Sequence, residues 1–462
     1  MKKEGKITAQ IVPHLGVRGL RIGCGAGFSG DRLDPSVVLA EKGNLDYLVL
    51  ECLAERTIAL AQKRKLQDPT KGYDPLLERR IESLLPILIK NKVRLITNMG
   101  AANPIAAAKK VIEIAQKMGL KIKVAAVYGD DVFEKIDPSV SAIETGEPLS
   151  KSGKLLSANA YLGIEGILEA LKTEANIIIT GRVADPSLFL APMIHEFGWQ
   201  TDDYDLMGKG TVVGHLLECA GHITGGYFAD PIKKPVADMD NLGHPFADIF
   251  QDGSAIISKV EGTGGVVNLQ TAKEQLLYEV INPFEYFTPD VIADFTTVKL
   301  TEIGKNQVQV TGGTGKKKPE TYKISVGYKA FYLGEGEISY AGASAFERAE
   351  LAGEIIKKRL APQPPEGEQR FEDLRIDYIG LNSVHRTGFD SSSIPYEIRL
   401  RIATKAKTQE DAALIGEEVE ALYTNGPAGG GGVRKYVNEV IGIVSTLIKK
   451  DEIEPKLSIF EA

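Results

Sequence analysis

Short apolar runs followed by helical patterns make up the first half of the chain. Five such runs occupy residues 19–24, 46–52, 93–100, 122–129 and 176–182, and each ends in small or polar residues. Apolar positions within a run are continuous rather than alternating, as in strands that are covered on both faces. The pattern therefore predicts an α/β fold, with a parallel, Rossmann-like sheet and helices on both of its faces.

The segments between the runs carry the signals of helix ends. In one of them Asp34, followed by proline, precedes a helical pattern that stops at Gly43. In another, Asn103 with proline behind it and Gly119 enclose a second such pattern. We expect helices to begin near Asp34 and directly after Asn103, with these two side chains as N-caps.

After about residue 288 the pattern changes to strands joined by turns that contain glycine. It then predicts a helix in ASAFERAELAGEIIKKRLA, a proline-rich linker at 362–368, strands in DLRIDYIGL and YEIRLRIAT, a helix from about 408 to 423 and a last helix behind NGPAGGGGVR. Strands with little room for helices between them indicate antiparallel pairing. We therefore expect an α/β domain with the candidate active site at 1–288 and a smaller, mainly antiparallel α+β domain at 289–462.

Composition and charge narrow the class of protein. The 462 residues are 43% hydrophobic and 25% charged, and the net charge of −7 gives no basic bias toward nucleic acid or anionic lipid. Three scattered cysteines do not suit a disulfide framework. No apolar run reaches the roughly 18 residues of a membrane span, and the first residues, MKKEGKITAQIVPHLG, show no leader pattern. We expect a cytoplasmic protein with neither a nucleic-acid nor a membrane partner.

The loop after the first run contains GAGFSG, residues 25–30, a formal G-x-G-x-x-G pattern. In a dinucleotide-binding fold the third glycine lies within the first helix, whose N-terminus meets the pyrophosphate. Here the helix signal begins only at Asp34, and Asp31 puts a carboxylate where a pyrophosphate needs donors, although Glu51 stands where a ribose-binding acid is expected. Three interpretations stay open: a tight strand-to-helix turn, a substrate loop that uses Asp31 and Arg32, and a nicotinamide site.

Polar side chains follow every run of the predicted sheet. They are Asp31, Arg32, Glu51, Cys52, Thr97, Asn98, Asp130, Asp131, Thr180, Arg182 and Asp185. Because α/β sheets bind ligands at the carboxyl ends of their strands, we expect these groups at one edge. We expect Asp31 and Asp185 to be catalytic, and Arg32, Glu51, Asn98, Asn103 and Arg182 to bind substrate. The open alternatives are turn and cap roles for the two asparagines and a surface ion pair of Arg182 with Asp185.

The segment GHLLECAGHITGGYFADP, residues 214–231, is the richest in reactive side chains. In a helix, His215 and Cys219 lie one turn apart with Glu218 beside them, a spacing also found in metal sites. No further ligand motif accompanies it, and we predict no metal. A structural cysteine, a reactive Cys219 and an acid–base Glu218 stay open, with His222 as a base that titrates near neutral pH.

Two glycine stretches are candidates for binding anions through their amides. Thr224, Gly225 and Gly226 form a turn that we predict to hold a carboxylate or an oxyanion. A longer run opens onto the last predicted helix and consists of Gly429, Gly430, Gly431 and Gly432, with Arg434 behind it. A helix N-terminus presents unpaired N–H groups, so this run predicts a phosphate or carboxylate site, with a flexible loop or an interface as the alternative. The stretch EGTGG, 261–265, is a weaker version of the pattern.

The chain also contains, in this order, six blocks: GCGAGFSGDR, TNMGAANP, TGRVADPSLFLAP, LLECAGHITGGYFADP, KVEGTGGVVNLQTAKEQLLYEV and GPAGGGGVR. Together they resemble the acyclic terpene utilisation protein A (AtuA-like) family over most of the chain. The matching residues are Asp31, Arg32, Asn98, Asn103, Arg182, Asp185, Glu218, Cys219, Thr224, Gly225 and Gly226. His222 stands where many members have glutamine. Some members continue into a small ferredoxin-like domain after the glycine-rich block, and the resemblance leaves two expectations open for this chain: the module is a separate small partner protein, or it is absent.

The resemblance implies catabolism of branched acyclic terpenes and related acids through acyl-CoA intermediates. Our first hypothesis is therefore an enzyme acting on a carboxylate or acyl-CoA thioester, of lyase or hydrolase type, with no redox cofactor and coenzyme A only as part of the substrate. Glu218 or His222 would move a proton, Arg182 would hold a carboxylate and Cys219 could be a nucleophile. The alternatives are a binding or scaffold subunit and a nucleotide- or NAD-dependent enzyme. We also expect a homo-oligomer.

Overall fold

A computed structural model describes residues 18–361, 370–386 and 395–462. The strands in these residues are β1 Leu20–Ala26, β2 Tyr47–Leu50, β3 Arg94–Thr97, β4 Lys123–Tyr128, β5 Lys154–Ala160, β6 Ile177–Thr180, β7 Pro245–Ile249, β8 Ala255–Lys259, β9 Tyr286–Phe287, β10 Ile292–Asp294, β11 Lys299–Gly304, β12 Gln307–Thr311, β13 Thr314–Lys316, β14 Thr321–Ala341, β15 Phe371–Ile379, β16 Glu397–Ala406, β17 Gly431–Lys449 and β18 Lys456–Glu461. The α-helices are α1 Asp34–Lys42, α2 Glu55–Gln67, α3 Leu77–Asn91, α4 Pro104–Lys117, α5 Glu165–Lys172, α6 Ser187–Phe197, α7 Tyr204–Glu218, α8 Leu269–Leu277, α9 Ala345–Leu360, α10 Gln409–Glu420 and α11 Leu422–Asn425. The linker predicted at 362–368 and the N-terminal segment lie outside the described residues.

Five parallel strands, in the order β1-β2-β3-β6-β4, form the centre of a ten-stranded sheet. They coincide with the five apolar runs, so the predicted parallel sheet is confirmed. Helices α1, α3 and α4 pack together on one face, over a core that includes Leu48, Leu95 and Ile177. Helices α5, α6 and α7 pack in sequence on the other face. The carboxyl ends of all five strands therefore lie at one edge.

Antiparallel strands extend this sheet at both sides. Strand β7 pairs with β1 and is followed outward by β8, β12 and β11, while β18 pairs with β4. Strands β13, β10 and β9 form a separate three-stranded sheet. No helix of the described residues is both long and apolar enough to cross a membrane.

The described chain divides into two compact units that do not follow the expected boundary at residue 288. The first unit comprises the described residues up to 148 together with 156–327 and 443–462, and the second comprises 149–155 and 328–442. The reason is strand pairing, because β11, β12 and β18 complete the sheet of the first unit although they come late in the sequence.

The second unit is the predicted antiparallel α+β part. Its sheet has the order β15-β16-β14-β17, and helices α9 and α10 pack against β16. Ile338, Ile356 and Leu400 belong to the core between them. The two strands and the two long helices predicted in this region are confirmed.

The last predicted helix, behind the glycine run, is wrong. The chain forms strand β17 from Gly431 to Lys449 instead. Eight of its residues are β-branched, namely Val433, Val437, Val440, Ile441, Ile443, Val444, Thr446 and Ile448. Such side chains lose rotamer freedom in a helix and pack well on a pleated sheet, and this composition was the available signal.

The predicted helix starts are correct to within one residue. Helix α1 begins at Asp34, although Asp34 is its first residue and Leu33 occupies the N-cap position. Asn103 is the N-cap of α4 as predicted, and its Oδ1 accepts a hydrogen bond from the Ala106 amide at 3.3 Å.

Candidate active site

A cavity of about 590 Å³ opens at the carboxyl edge of the parallel strands. The predicted catalytic residues that line it are Asp31, Asp185, Glu218, Cys219 and His222. The predicted binding residues that line it are Arg32, Glu51, Arg182 and Gly226. The fold therefore brings nine of the predicted site residues together in one cavity, although they are up to about 195 positions apart in the chain.

Glu51, at the end of β2, is a buried carboxyl group in this cavity. Its Oε1 accepts hydrogen bonds from the Leu53 amide and from Nδ2 of Asn98, both at 2.8 Å. Oε2 has no such partner in the described residues. Burial, helped by nearby Asp185, raises the pKa of Glu51 well above its ordinary value, and Arg182 opposes this only in part. A neutral Glu51 can donate a hydrogen bond through Oε2.

Asn98, which we expected to bind substrate, does not line the cavity. Besides donating to Glu51, it accepts a hydrogen bond from the Cys52 amide at 2.7 Å, and its side chain is fully buried. Asn98 therefore positions the chain behind β2 and orients Glu51.

Arg182, behind β6, is a buried cation rather than a surface residue. Its guanidinium donates to the carbonyl of Leu53, lies 3.3 Å from the carboxylate of Asp185 and stacks 4.0 Å from the centre of the Tyr161 ring. Its backbone amide donates to Oδ2 of Asp130 at 3.0 Å. The Nε atom has no partner in the described residues. The alternative of a surface ion pair is wrong, since Arg182 is 2% exposed.

Glu218, the last residue of α7, lines the cavity and has a hydrogen-bond partner that does not. Its Oε1 shares a hydrogen bond of 2.8 Å with Nδ1 of His215, one turn earlier, while Oε2 is without a partner in the described residues. Burial, followed by the charges of Asp185 and Glu279, raises the pKa of Glu218 well above its ordinary value. Burial lowers the pKa of His215 to about 4. Burial thus disfavours the charged form of both partners of this hydrogen bond.

Cys219 and His222 line the cavity, but burial favours the neutral form of both side chains, which does not suit a thiolate nucleophile or a base that titrates near neutral pH. Burial, followed by the charge of Glu218, raises the pKa of the Cys219 thiol, so a thiolate nucleophile is disfavoured. Burial also lowers the pKa of His222, whose ring stacks on Tyr227 and meets Tyr278 edge-on. His222 is therefore a neutral side chain within an aromatic cluster.

The opening glycine loop is a tight turn that its own carboxylate holds. Asp31 Oδ2 accepts from the Gly27 amide at 2.9 Å, and Oδ1 accepts from the Arg32 amide at 2.8 Å. Helix α1 begins four residues after Gly30, at Asp34. The geometry supports the turn and substrate-loop interpretations, because the third glycine does not belong to the helix as in the dinucleotide fold.

Several side chains of the cavity escaped the sequence analysis. His244 comes from the chain entering β7; its Nδ1 donates to the Gly25 carbonyl at 3.0 Å, and its Nε2 lies 3.8 Å from Asp31. No local pattern points to it, since β7 joins the sheet late and antiparallel. Glu55 accepts from the Tyr161 hydroxyl, and its position one turn after the β2 run was a usable signal.

The predicted amide turn is wrong as an anion site. The amides of Thr224 and Gly226 donate to the Gly221 carbonyl at 3.2 and 2.7 Å, and that of Gly225 donates to the His222 carbonyl at 3.0 Å. These donors are already used within the loop, so they offer none to an oxyanion. Neither Thr224 nor Gly225 lines the cavity.

Asn103 is also a structural residue and lies outside the cavity lining. Besides capping α4, its Nδ2 donates to the carbonyls of Pro69 and Lys71 at 2.9 and 2.8 Å. All its polar atoms are thereby used, as in the cap interpretation.

The glycine run belongs to the second unit and leads into a strand. Gly429, Gly430, Gly431, Gly432 and Arg434 therefore lack the helix N-terminus on which the expected anion site depended. Carbonyls of this stretch instead accept hydrogen bonds, from Arg348 to Ala428 at 2.7 Å and from Arg399 to Gly432 at 3.4 Å.

A family model described as "Acyclic terpene utilisation family protein AtuA" matches residues 20–459. The chain belongs to the AtuA family. Membership implies involvement in acyclic terpene utilisation, as the six sequence blocks suggested. No curated protein and no solved structure matches the chain. All the cavity residues named above lie within the matched range of this AtuA family member. In its described residues, no group of three or more His, Cys, Asp or Glu side chains is placed to hold a metal ion.

Proposed function

We propose that the chain is an acid–base enzyme of acyl or carboxylate catabolism, of lyase or hydrolase type, which acts at a carbonyl group in the 590 Å³ cavity. The observation that carries this proposal is a pair of buried carboxyl groups, Glu51 and Glu218, in one cavity with different hydrogen-bond partners. Carboxyl groups with raised pKa values can hold or take up a proton near neutral pH, as general acid–base catalysis requires.

The two groups have different roles in this proposal. Glu51 uses Oε1 as an acceptor for Asn98 and Leu53, which leaves the proton on Oε2 for the substrate carbonyl oxygen. Glu218 has a free Oε2 and takes a proton from the carbon next to that carbonyl, while His215 holds Oε1. The electron pair of the broken C–H bond forms the C=C bond of an enolate, whose oxygen accepts the hydrogen bond of Glu51. In the lyase reaction the enolate then expels the 3-hydroxyl group, which takes the proton held by Glu218 and leaves as water.

Arg182 supports this chemistry through its charge. It lowers the cost of ionising either carboxyl group, because it opposes the raised pKa values of both Glu51 and Glu218. Its Nε has no partner in the described residues and is a further donor for an oxygen of the substrate. The cavity as a whole is acidic, with six carboxyl groups against Arg32 and Arg182, which favours a substrate whose reacting end is uncharged, such as a thioester carbonyl.

The test is turnover of a panel of branched 3-hydroxyacyl thioesters, with the corresponding free acids, by the purified full chain. At least one should be converted, and Glu218→Gln should lower kcat by about 10²- to 10⁴-fold while the protein stays folded. Glu41→Gln, an exposed carboxyl group on α1, is the matched control and should keep full activity. Equal turnover by Glu218→Gln and the parent chain would remove the assignment.

A second measurement on the same preparation distinguishes the proposed enzyme from a nucleotide- or NAD-dependent one. Titration with NAD(H) and NADP(H) should give no saturable binding that competes with the thioester. Activity that appears only when a small ferredoxin-like protein is added would favour the subunit alternative.

A further inference from the structure

A second cavity, of about 880 Å³, lies over the antiparallel end of the large sheet. Arg21 at the start of β1, Lys42 at the end of α1, Lys259 at the end of β8 and Lys305 in the turn between β11 and β12 bring four cations to its lining. All of them belong to the first compact unit.

Lys259 is the most unusual of these cations because it is buried. Lys259 is 6% exposed, on the inward face of β8. Among the described residues its Nζ donates only to Thr263, to the carbonyl at 2.7 Å and to the hydroxyl at 3.3 Å. No carboxylate of the described residues forms an ion pair with it. Burial, and then the charge of Lys305, lowers the pKa of Lys259. The opposite charge of an anion in the cavity would raise this pKa again.

The other three cations differ in whether a carboxylate already pairs with them. Arg21 is fully engaged, since its guanidinium binds Asp248 at 2.7 and 2.8 Å and the Gly43 carbonyl at 3.0 Å. Lys42 and Lys305 are exposed and form no ion pair in the described residues. Two carboxylates of the lining, Asp238 and Glu261, oppose these lysines.

The turn after β8 adds backbone donors to the same lining. The Thr263 amide donates to the Val260 carbonyl at 3.3 Å, which closes a turn with Gly262 at a φ of +78°. The amides of Glu261 and Gly262, at the apex, find no acceptor in the described residues. A Cβ at Gly262 would meet no atom within 4 Å, so nothing covers this apex.

The two cavities of the first unit thus have opposite charge. We propose that the second cavity binds the phosphate groups of a small phosphorylated ligand, with Lys42, Lys259 and Lys305 as the cations and the turn at 260–263 as a source of amide donors. Lysine is a compact point charge suited to phosphate, and neither the proposed chemistry of the first cavity nor the strand pairing uses these three side chains. The proposal is independent of the reaction in the first cavity, because its test measures binding.

The experiment is calorimetric titration of the purified full chain at low salt with pyrophosphate, ADP and coenzyme A, with pantetheine as the ligand that lacks phosphate. We expect saturable binding of at least one phosphorylated ligand and none of pantetheine. Lys305→Glu and Lys42→Glu should each weaken that binding about tenfold or more, because both introduce a carboxylate at an exposed position that does not hold the fold. A preference for ADP or for coenzyme A would identify the source of the phosphate.

Lys299→Glu is the matched control, since Lys299 is an exposed lysine of the same β11–β12 hairpin and does not line the cavity. It should bind as the parent chain does. The proposal is overturned if no phosphorylated ligand binds, if the Lys305 and Lys42 variants bind unchanged, or if Lys299→Glu loses as much affinity as they do. Lys259→Met, provided that its melting curve is cooperative, should abolish binding.

Discussion

Nδ2 of Asn98 donates a hydrogen bond of 2.8 Å to Oε1 of Glu51, across the ends of two neighbouring parallel strands. The same side chain accepts from the Cys52 amide, so one buried asparagine fixes both the loop and the carboxyl group. This relationship makes Asn98 a positioning residue for Glu51, although it does not touch the cavity.

Asn98→Ala should therefore reduce activity as well as stability. It leaves the Cys52 amide without its acceptor and removes one of the two hydrogen bonds to Oε1 of Glu51, at a cost of about 1–3 kcal/mol in the free energy of unfolding. Urea denaturation gives the stability, and kcat on the converted thioester gives the activity, which should fall by more than the loss of folded protein explains.

Asn103→Ala is the control for that substitution. Asn103 caps α4 outside the cavity, so its loss should cost about 1 kcal/mol of stability and leave kcat unchanged. If the two alanine variants lower kcat equally, Asn98 has no role beyond the fold.

His215→Phe should move the pH profile of the reaction. Without the hydrogen bond from His215, the ionised form of Glu218 loses a partner, so its pKa rises further and the acidic limb of kcat moves to higher pH. His215→Gln, which keeps a donor, should restore part of the parent profile. A limb that stays in place in both variants would show that His215 only packs against Tyr286 and Phe295.

The strands of the parallel sheet could be predicted because their apolar runs are continuous and their ends are polar. Once they are parallel, the chain topology brings Asp31, Glu51, Arg182 and Glu218 to one edge, and the cavity follows. The sequence could not show which hydrogen-bond donors and acceptors already have partners within the protein. The amides of Gly225 and Gly226 donate within their own loop, which depends on the three-dimensional fold of that loop and not on a sequence pattern.

Local sequence patterns could not predict which residues of the later, antiparallel strands reach the cavity. His244 reaches the cavity because β7 pairs with β1 over a separation of more than 200 positions, which no periodicity indicates. We predicted a helix after the glycine run because glycines often precede one. The many β-branched residues that follow favour a strand instead, and the chain forms β17.

Gly27→Ala should destabilise the loop on which the cavity depends. A Cβ at this position would lie 2.5 Å from the carbonyl carbon of Cys219, directly after Glu218. Because the contact is with backbone atoms, either the glycine loop or the chain at Cys219 would have to shift. We expect a loss of about 1–3 kcal/mol together with reduced kcat. Gly431→Ala, whose Cβ would meet no atom within 4 Å, should change stability by under about 0.5 kcal/mol and serves as the control.

Asp130 gives the stability of the protein a specific dependence on pH. Its Oδ2 accepts from Nδ2 of Asn159 at 2.8 Å and from the Arg182 amide at 3.0 Å, and burial raises its pKa to about 6. Since the folded state then holds the proton more tightly than the unfolded state, its contribution is complete below about pH 4 and is lost as the pH rises through 6. The loss is on the order of 3 kcal/mol.

Asp130→Asn removes this titration, so the parent chain should lose stability relative to the variant between pH 4 and pH 7, as urea denaturation at each pH would measure. Asp137→Asn is a control of opposite sign, because the Ser139 amide lowers the pKa of that exposed carboxyl group and its contribution is gained as the pH rises. Unfolding free energies of the parent chain and Asp130→Asn that run parallel across this range would mean that the Asp130 carboxyl is ionised in the folded protein. In that case the hydrogen bond from the Arg182 amide would be accepted by a charged carboxylate rather than a neutral carboxyl group.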